Sequence, residues 1–429
     1  MIDIHLLRKD PKILLNSLKA RNSTKEVLDI AEEIILKDEN WRKIKKEEEL
    51  LRAERNKLNI EILNLKKDKK SAKGKEVDDK IKRSGQVSAR IKDIAEETTK
   101  LESKIKAMLL DLPNIIHESV PKGKSAEENP EIRKFGKPKK LSKDVIDHHD
   151  LGIKTGLIDF ELGAKLAGHR FAVLKGSMAK LERALINFML SLQTTRGYQE
   201  LLVPHLVNTK TIENTGQLPK FEKELYKCRD DDLWLIPTAE VPLTNIYANE
   251  ILEEKNLPVR LCGYTQCYRR EAGAYGKDIK GLIRQHQFNK VELVKFATPE
   301  TSFHELEMMV KDAEAVLQAL ELPYRVIELC SGDIGFASAK TYDIEVWIPS
   351  QDTYREISSC SNCTDFQARR ANIKYRNVKG ELNYAHTLNG SGLAVGRTLI
   401  AILENFQEGK EIMVPKALQD FMGEESIDF

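Results

Sequence analysis

Cysteine is scarce in this 429-residue chain. The six present, Cys228, Cys262, Cys267, Cys330, Cys360 and Cys363, follow no framework spacing, which argues against a disulfide-stapled fold and for a reducing compartment. Long apolar runs are missing as well: nothing approaches the roughly 18 residues of a membrane span. The start, Met1-Ile2-Asp3-Ile4-His5, lacks a basic segment followed by an apolar one, so the chain is expected to be soluble and cytoplasmic, with no membrane partner. An excess of one charge is absent too. With 69 basic and 67 acidic residues the net charge is only +2, so any surface for a polyanion must be local. Hydrophobic residues still make up 41%, which excludes wholesale disorder. The length exceeds what one core usually supports, so at least two structural units are expected.

Proline is entirely missing from about residue 28 to 110, and glycine occurs there only at 74 and 85. Stepping alternately by three and four from Ile30 through Ile34, Trp41, Ile44, Leu51, Leu58 and Leu65 finds apolar residues at eight of eleven positions. A second register from Val77 through Val87, Ile91, Ile94, Leu101, Ile105 and Met108 gives seven of ten. Two heptad runs separated by Lys66 to Glu76 read as an antiparallel two-helix coiled-coil arm. At 1.5 Å per residue each helix would be on the order of 50 Å long. Lys66 to Arg83 holds nine basic residues against four acidic ones. Lys66, Lys67, Lys69 and Lys70 could therefore follow a phosphate backbone or simply keep an exposed arm in solution.

Proline returns at Leu112-Pro113-Asn114, and a Lys-, Glu-, Pro- and Gly-rich stretch follows. We therefore divide the chain into an N-terminal domain at 1–112, a linker at 113–144 and a mixed α+β domain at 145–429. In the last, Met178, Leu181, Leu185, Phe188, Met189 and Leu192 predict a helix behind Ser177 as N-cap, and an extended segment then runs to Pro204. A strand ending Tyr268-Arg269-Arg270-Glu271 and another through Arg284-Gln285-His286-Gln287-Phe288 to Glu292 predict a hairpin. Alternation would put Arg284, His286, Phe288 and Glu292 on one face. That face suits a nucleotide, with guanidinium forks for phosphate and a ring for a base, and it equally suits a cross-strand ion-pair ladder. Glu356-Ile357-Ser358-Ser359 offers oxygen ligands of the kind Mg²⁺ takes. Asn389-Gly390-Ser391-Gly392 reads as a glycine-rich entry to a helix carrying Arg397, where backbone N–H groups can face an anion. Cys360 and Cys363 have no second pair at zinc-ribbon spacing, so they are expected to be sheltered thiols and no zinc site is assigned. His148, His149 and His169 receive no role.

Together these segments resemble the seryl-tRNA synthetases of the ordinary bacterial and eukaryotic type, over nearly the whole chain. The helix with Pro204, Tyr268-Arg269-Arg270-Glu271 and Gly392-Leu393-Ala394-Val395-Gly396-Arg397 look like class II motifs 1, 2 and 3. Thr215-Gly216-Gln217-Leu218-Pro219-Lys220-Phe221, Thr238-Ala239-Glu240, Gly281-Leu282-Ile283-Arg284, Glu356 to Asn362 and Asp365-Phe366-Gln367-Ala368-Arg369-Arg370 look like blocks of that family. The resemblance implies a class II catalytic domain built on an antiparallel sheet with flanking helices, a homodimer through motif 1 around Pro204, and a tRNA-binding arm.

It further implies an enzyme that activates L-serine with ATP and charges tRNA(Ser), with tRNA(Sec) left open. Catalysis would rest on Arg269, Glu356 and Arg397. ATP would be held by Arg269, Arg270, Glu271, Arg284, Phe288, Glu356, Ile357, Ser358, Ser359 and Arg397, with Mg²⁺ on Glu356 and Ser359. Serine would be held by Thr238, Ala239, Glu240, Arg269, Glu292, Asn389 and Ser391. Arg270 and Lys416 depart from residues common in the family, at positions assigned to no bond-making step.

Overall fold

The computed structural model describes residues 1–67, 74–138, 145–272 and 280–429. Lys69 and Lys70, part of the linker and part of the stretch after Glu271 lie outside the described residues. Two compact units emerge, one of Asp3–Leu18 with Ser23–Leu112, the other of Met1–Ile2, Lys19–Asn22 and Pro113–Phe429.

The first unit is dominated by helices α1 (Lys25–Lys67) and α2 (Lys75–Leu110). The helix-interrupting residue Gly74 is the N-cap of α2. Ile34, Ile44, Val77, Val87, Ile91, Ile94 and Ile105, all predicted seam positions, are buried. The seam also buries Asp38 and Glu48, each held by basic partners: Arg8 and Arg42 for Asp38, Lys45 and Arg52 for Glu48. A ladder crosses between the helices. Glu47 pairs with Arg90 at 3.0 Å, Glu54 with Arg83 at 2.8 Å and Glu61 with Lys80 at 2.7 Å, an order that only antiparallel helices produce. Exposed pairs of this kind add little individually, on the order of 0.5 kcal/mol, so the apolar seam does most of the holding.

The second unit is built on eight strands: β1 (Glu131–Phe135), β2 (Gln199–Glu200), β3 (Val259–Tyr268), β4 (Gln287–Ala297), β5 (Tyr324–Glu328), β6 (Lys340–Ile348), β7 (Thr353–Asn362) and β8 (His386–Ala394). Their order is β1-β5-β6-β7-β8-β4-β3-β2, antiparallel except for the short β2–β3 pairing. The helices used below are α3 (His148–Thr155), α4 (Gly176–Thr195), α5 (Ser302–Ala319), α6 (Phe366–Ala371) and α7 (Val395–Asn405). Leu181, Leu185 and Met189 of α4, Met309 and Leu317 of α5 and Leu399 and Ile402 of α7 form one core with Leu293, Val326 and Ile344 of the sheet.

Alternation along β4 decides what faces where. Val291 and Leu293 join that core, while Phe288, Lys290 and Glu292 point to the opposite face and line a cleft.

Several boundaries differ from the sequence reading. Helix α4 starts two residues earlier, with Lys175 as N-cap and no side-chain cap, so Ser177 lies inside it. Strand β3 ends at Tyr268 and β4 begins only at Gln287. Glu271 has φ of 50° and the segment before β4 is a turn, so the predicted face of Arg284 and His286 with Phe288 does not exist as a strand face. His286 instead sits with its ring centroid 5.4 Å from that of Phe171. The glycine run Asn389 to Gly392, expected as the entry to a helix, is strand and stops short of α7. It belongs to β8, where a Cβ on Gly390 would stand 2.8 Å from Cys360 Sγ, so close packing rather than turn geometry requires glycine there.

Candidate active site

The cleft of about 330 Å³ collects side chains from β4, β7, β8 and the loops before β4 and after Ile236. It contains Thr238, Glu240, Arg269, Glu271, Arg284, Phe288, Glu292, Glu356, Ile357, Ser359, Asn389, Ser391 and Arg397 from the predicted set. Three predicted residues fall outside its lining. Ala239 is fully buried. Ser358 is buried and donates to Ser391 O at 2.6 Å. Arg270 lies over the Tyr226 ring at 5.5 Å. All three neighbour cleft residues in sequence and point away from it.

At one end stand the guanidinium groups. Arg269 lies 5.2 Å over the Phe288 ring and donates from Nε to Pro237 O at 3.2 Å. Arg284 donates to Glu271 at 2.8 Å, while its buried Nε has no partner among the described residues. Arg397, in the first turn of α7, donates to Glu356 O at 2.6 Å and to Ile283 O at 3.3 Å. The α7 N-terminus has no side-chain cap, and Gly396 reaches the cleft, so free N–H groups and helix dipole add to the positive field. An anion of several oxygens is what this end can hold.

The other end is acidic and buried. Glu292 accepts from Thr238 Oγ1 at 3.2 Å and pairs closely with Lys290. Glu240 has its carboxyl pushed up to about 7, first by burial and then by the negative charge of Glu292. Asn389 donates to Glu240 Oε1 at 3.0 Å. Gln367, fully buried on α6, donates to the same oxygen at 2.6 Å and to Thr215 O at 3.1 Å, while its own carbonyl accepts from Thr387 at 2.6 Å. With both faces of the amide used, Gln367 can present only N–H to Glu240. The sequence reading gave Gln367 and Thr387 no role, because neither sits in a periodic pattern, although Thr387 lies two residues before Asn389 of the cleft. The only signal was Gln367's place in the Asp365 to Arg370 block.

Between the two ends, Glu356 and Ser359 border the cleft and a second hollow behind it that Asp343 also lines. Ser359 hydrogen-bonds Asp343, whose carboxyl is raised by burial and by the charge of Glu356. Asp343 Oδ1 is buried without a hydrogen-bond partner among the described residues. Glu356 is half exposed, its carboxylate 3.7 Å from Arg397. This all-oxygen set suits a hard divalent cation. Cys360 and Cys363 are both buried, with thiols pushed up by burial; Cys363 accepts from Asn389 at 3.5 Å.

An antiparallel sheet that presents arginines, acids and an uncapped helix start in one cleft is the core of a class II aminoacyl-tRNA synthetase. The family model of the tRNA synthetase class II core domain (G, H, P, S and T) matches residues 221–406. At the level of fold alone, Giardia lamblia prolyl-tRNA synthetase in complex with prolyl-adenylate superposes with a TM-score of 0.55 at 16% identity, over 63% of this chain and 54% of that one. Residues 1–116 match the seryl-tRNA synthetase N-terminal domain. The serine–tRNA ligases of Fervidobacterium nodosum and Thermotoga neapolitana are 52% and 54% identical, over 100% of this chain and 99% and 100% of theirs. The crystal structure of Pyrococcus horikoshii seryl-tRNA synthetase complexed with ATP matches with a TM-score of 0.95 at 40% identity, over 100% of this chain and 99% of that one. The chain belongs to the seryl-tRNA synthetase family.

Proposed function

We propose that the chain is a serine–tRNA ligase that forms seryl-adenylate from L-serine and ATP, then passes the seryl group to the terminal 3′-hydroxyl of tRNA(Ser). The observation that carries this reading is the polarity of one cleft: Arg269, Arg284 and Arg397 at one end, and the acids Glu240 and Glu292 at the other. A serine carboxylate oxygen bonds to the α-phosphorus as the bond to pyrophosphate breaks. The tRNA hydroxyl then attacks the adenylate carbonyl and AMP leaves. Neither step needs a protein nucleophile, so positioning and charge neutralisation carry the rate.

In this reading Arg269 and Arg397 hold ATP phosphates and Arg284 reaches the γ-phosphate. Phe288 stacks on adenine, with Glu271 at the adenine end. Glu240 and Glu292 take the serine ammonium and hydroxyl, with Thr238, Asn389 and Ser391 around them. An alanine in that pocket would leave these polar groups unpaired, a mismatch that can discriminate by ~10⁴ or more. Glu356 and Ser359 would hold Mg²⁺, which when bound offsets phosphate charge.

The arm of α1 and α2, within an N-terminal domain of 1–112, binds tRNA in the cytoplasm, and residues 145–429 carry the chemistry. The homodimer forms through α4 and the segment around Pro204, where Leu202 is 90% exposed. Pyrophosphate exchange assayed across the twenty amino acids tests the reading. Exchange with serine far above every other amino acid is expected, and a preference for another amino acid would replace it.

A further inference from the structure

His148 has no place in the mechanism above and does not line the cleft, yet it is 4% exposed and hydrogen-bonded at both ring nitrogens. It is the first residue of α3, behind Asp147, which caps the helix. Its Nδ1 lies 2.7 Å from Glu404 Oε1 on α7, and its backbone N–H reaches the same oxygen at 3.2 Å. The second oxygen of Glu404 accepts from Ser350 N at 2.9 Å. Burial works to raise the Glu404 carboxyl, but the hydrogen bonds from His148 and Ser350 overcome it and hold the group below the usual range. The carboxylate thus accepts, and Nδ1 carries the hydrogen. On the far side of the ring, Nε2 accepts from Leu282 N at 3.3 Å. A backbone N–H can only donate, so this contact requires an unprotonated Nε2 and fixes the same tautomer independently.

Leu282 begins the part of the chain that serves the cleft. Ile283 O accepts from Arg397, and Arg284 follows directly, ion-paired to Glu271. The preceding Gly281 has φ of 74°, and a Cβ there would sit 2.0 Å from His148 Nε2. The backbone of this strap therefore rests on the face the imidazole presents, with no room for any side chain between them.

We propose that His148 is a positioning residue for the nucleotide: by tying the strap at Leu282 to Glu404 of α7, it sets where Arg284 and the carbonyl partner of Arg397 stand. This rests on the assignment of the arginine end of the cleft to ATP. His148 itself touches no substrate. Its effect should fall on ATP and leave serine, bound at the Glu240 end, alone.

Two variants separate this role from simple stability. His148→Asn keeps an amide N–H within the span of Nδ1 for Glu404 but is too short to accept from Leu282. Gly281→Ala keeps His148 and displaces the strap. Each is measured in the full-length protein by serine-dependent pyrophosphate exchange with either substrate varied, and by thermal melting with and without ATP. Loss of one hydrogen bond typically corresponds to about fivefold. The ATP KM should rise by about five- to tenfold in both variants, with a smaller ATP-induced rise in melting temperature and an unchanged serine KM. An unchanged ATP KM in His148→Asn, or equal shifts for ATP and serine, would overturn the proposal. Arg284→Ala is the companion measurement. If it raises the ATP KM while His148→Asn does not, the cleft assignment stands and the role of His148 is refuted; if Arg284→Ala has no effect on ATP either, the assignment itself falls and the proposal with it.

Discussion

Lowering the pH from 8 to 6 should raise the serine KM by about tenfold, with Glu240 as the cause. Its carboxyl is pushed up to about 7 by burial and by Glu292, against the pull of Gln367, Lys290 and Arg269. An acid with a raised pKa is protonated below that value, and only the carboxylate can balance the serine ammonium. Roughly nine-tenths of Glu240 is ionised at pH 8 and roughly one-tenth at pH 6, which gives about a tenfold change in the competent fraction. The assay is pyrophosphate exchange at saturating ATP, with serine varied at each pH, in the wild type and in Glu240→Gln. The variant should bind serine weakly at every pH and lose the slope, and titration of serine itself cancels in the comparison. Equal slopes in the two proteins would refute the reasoning. The same raised value carries a stability cost of known sign. The folded state resists ionising Glu240, so stability falls as pH rises from the ordinary carboxyl value of 4.5 through about 7. The full penalty is roughly 3 kcal/mol. Glu240→Gln should therefore melt higher than wild type at pH 8 while losing serine affinity.

Three further outcomes are expected. Arg269→Ala removes a phosphate contact made in the transition state and should cost on the order of 10²-fold or more in serine-dependent exchange; a rate within about threefold of wild type would remove Arg269 from the site. Replacing residues 30–106 by a short glycine linker should spare exchange, because Pro113–Phe429 and its small partners form a compact unit of their own, and should sharply reduce aminoacylation of tRNA. Changing Lys66, Lys67, Lys69 and Lys70 together to Gln should flatten the salt dependence of tRNA binding by about 0.7 to 0.9 in log–log slope per lost contact, and superimposable lines would assign these lysines to solubility.

The arm was legible in the sequence because a two-helix seam is a local, periodic object: heptads place Ile34, Ile44, Val87, Ile91 and Ile94 inside without reference to any other segment. Residue types in the cleft were legible as well, since arginines, acids and oxygens stand out in an apolar-patterned domain. Their geometry was not. Strand alternation was extended over Glu271, Arg284 and His286, where the chain has already left the ladder, because hydrophobic pattern does not mark where a strand stops pairing. Glycines 390 and 392 suggested the entry to a helix, whereas long-range packing against Cys360 and Leu293 explains them inside a strand. His148 and Gln367 were unreadable for a third reason. Each works through partners more than 100 residues away, Glu404 for one and Glu240 for the other, and no local signal announces such a pairing.

The ion-pair ladder of the arm repeats with the same period as its seam. Glu47, Glu54 and Glu61 are seven residues apart, and so are Arg83 and Arg90. Counting the pair of Glu33 with Lys104 at 3.5 Å, the ladder has four rungs; sliding α2 by one heptad would bring Arg83 beside Glu61 and Arg90 beside Glu54, so two of the four would re-form with new partners. Electrostatics therefore discriminates only in part between two alignments that differ by about 10 Å in the offset of the helices. Choosing between them falls to contacts that do not repeat, such as the bond across the seam from Ser84 to Asn59 at 3.0 Å. The arm is in this sense a vernier: its charges keep two scales parallel, and a few aperiodic side chains decide which graduation is read.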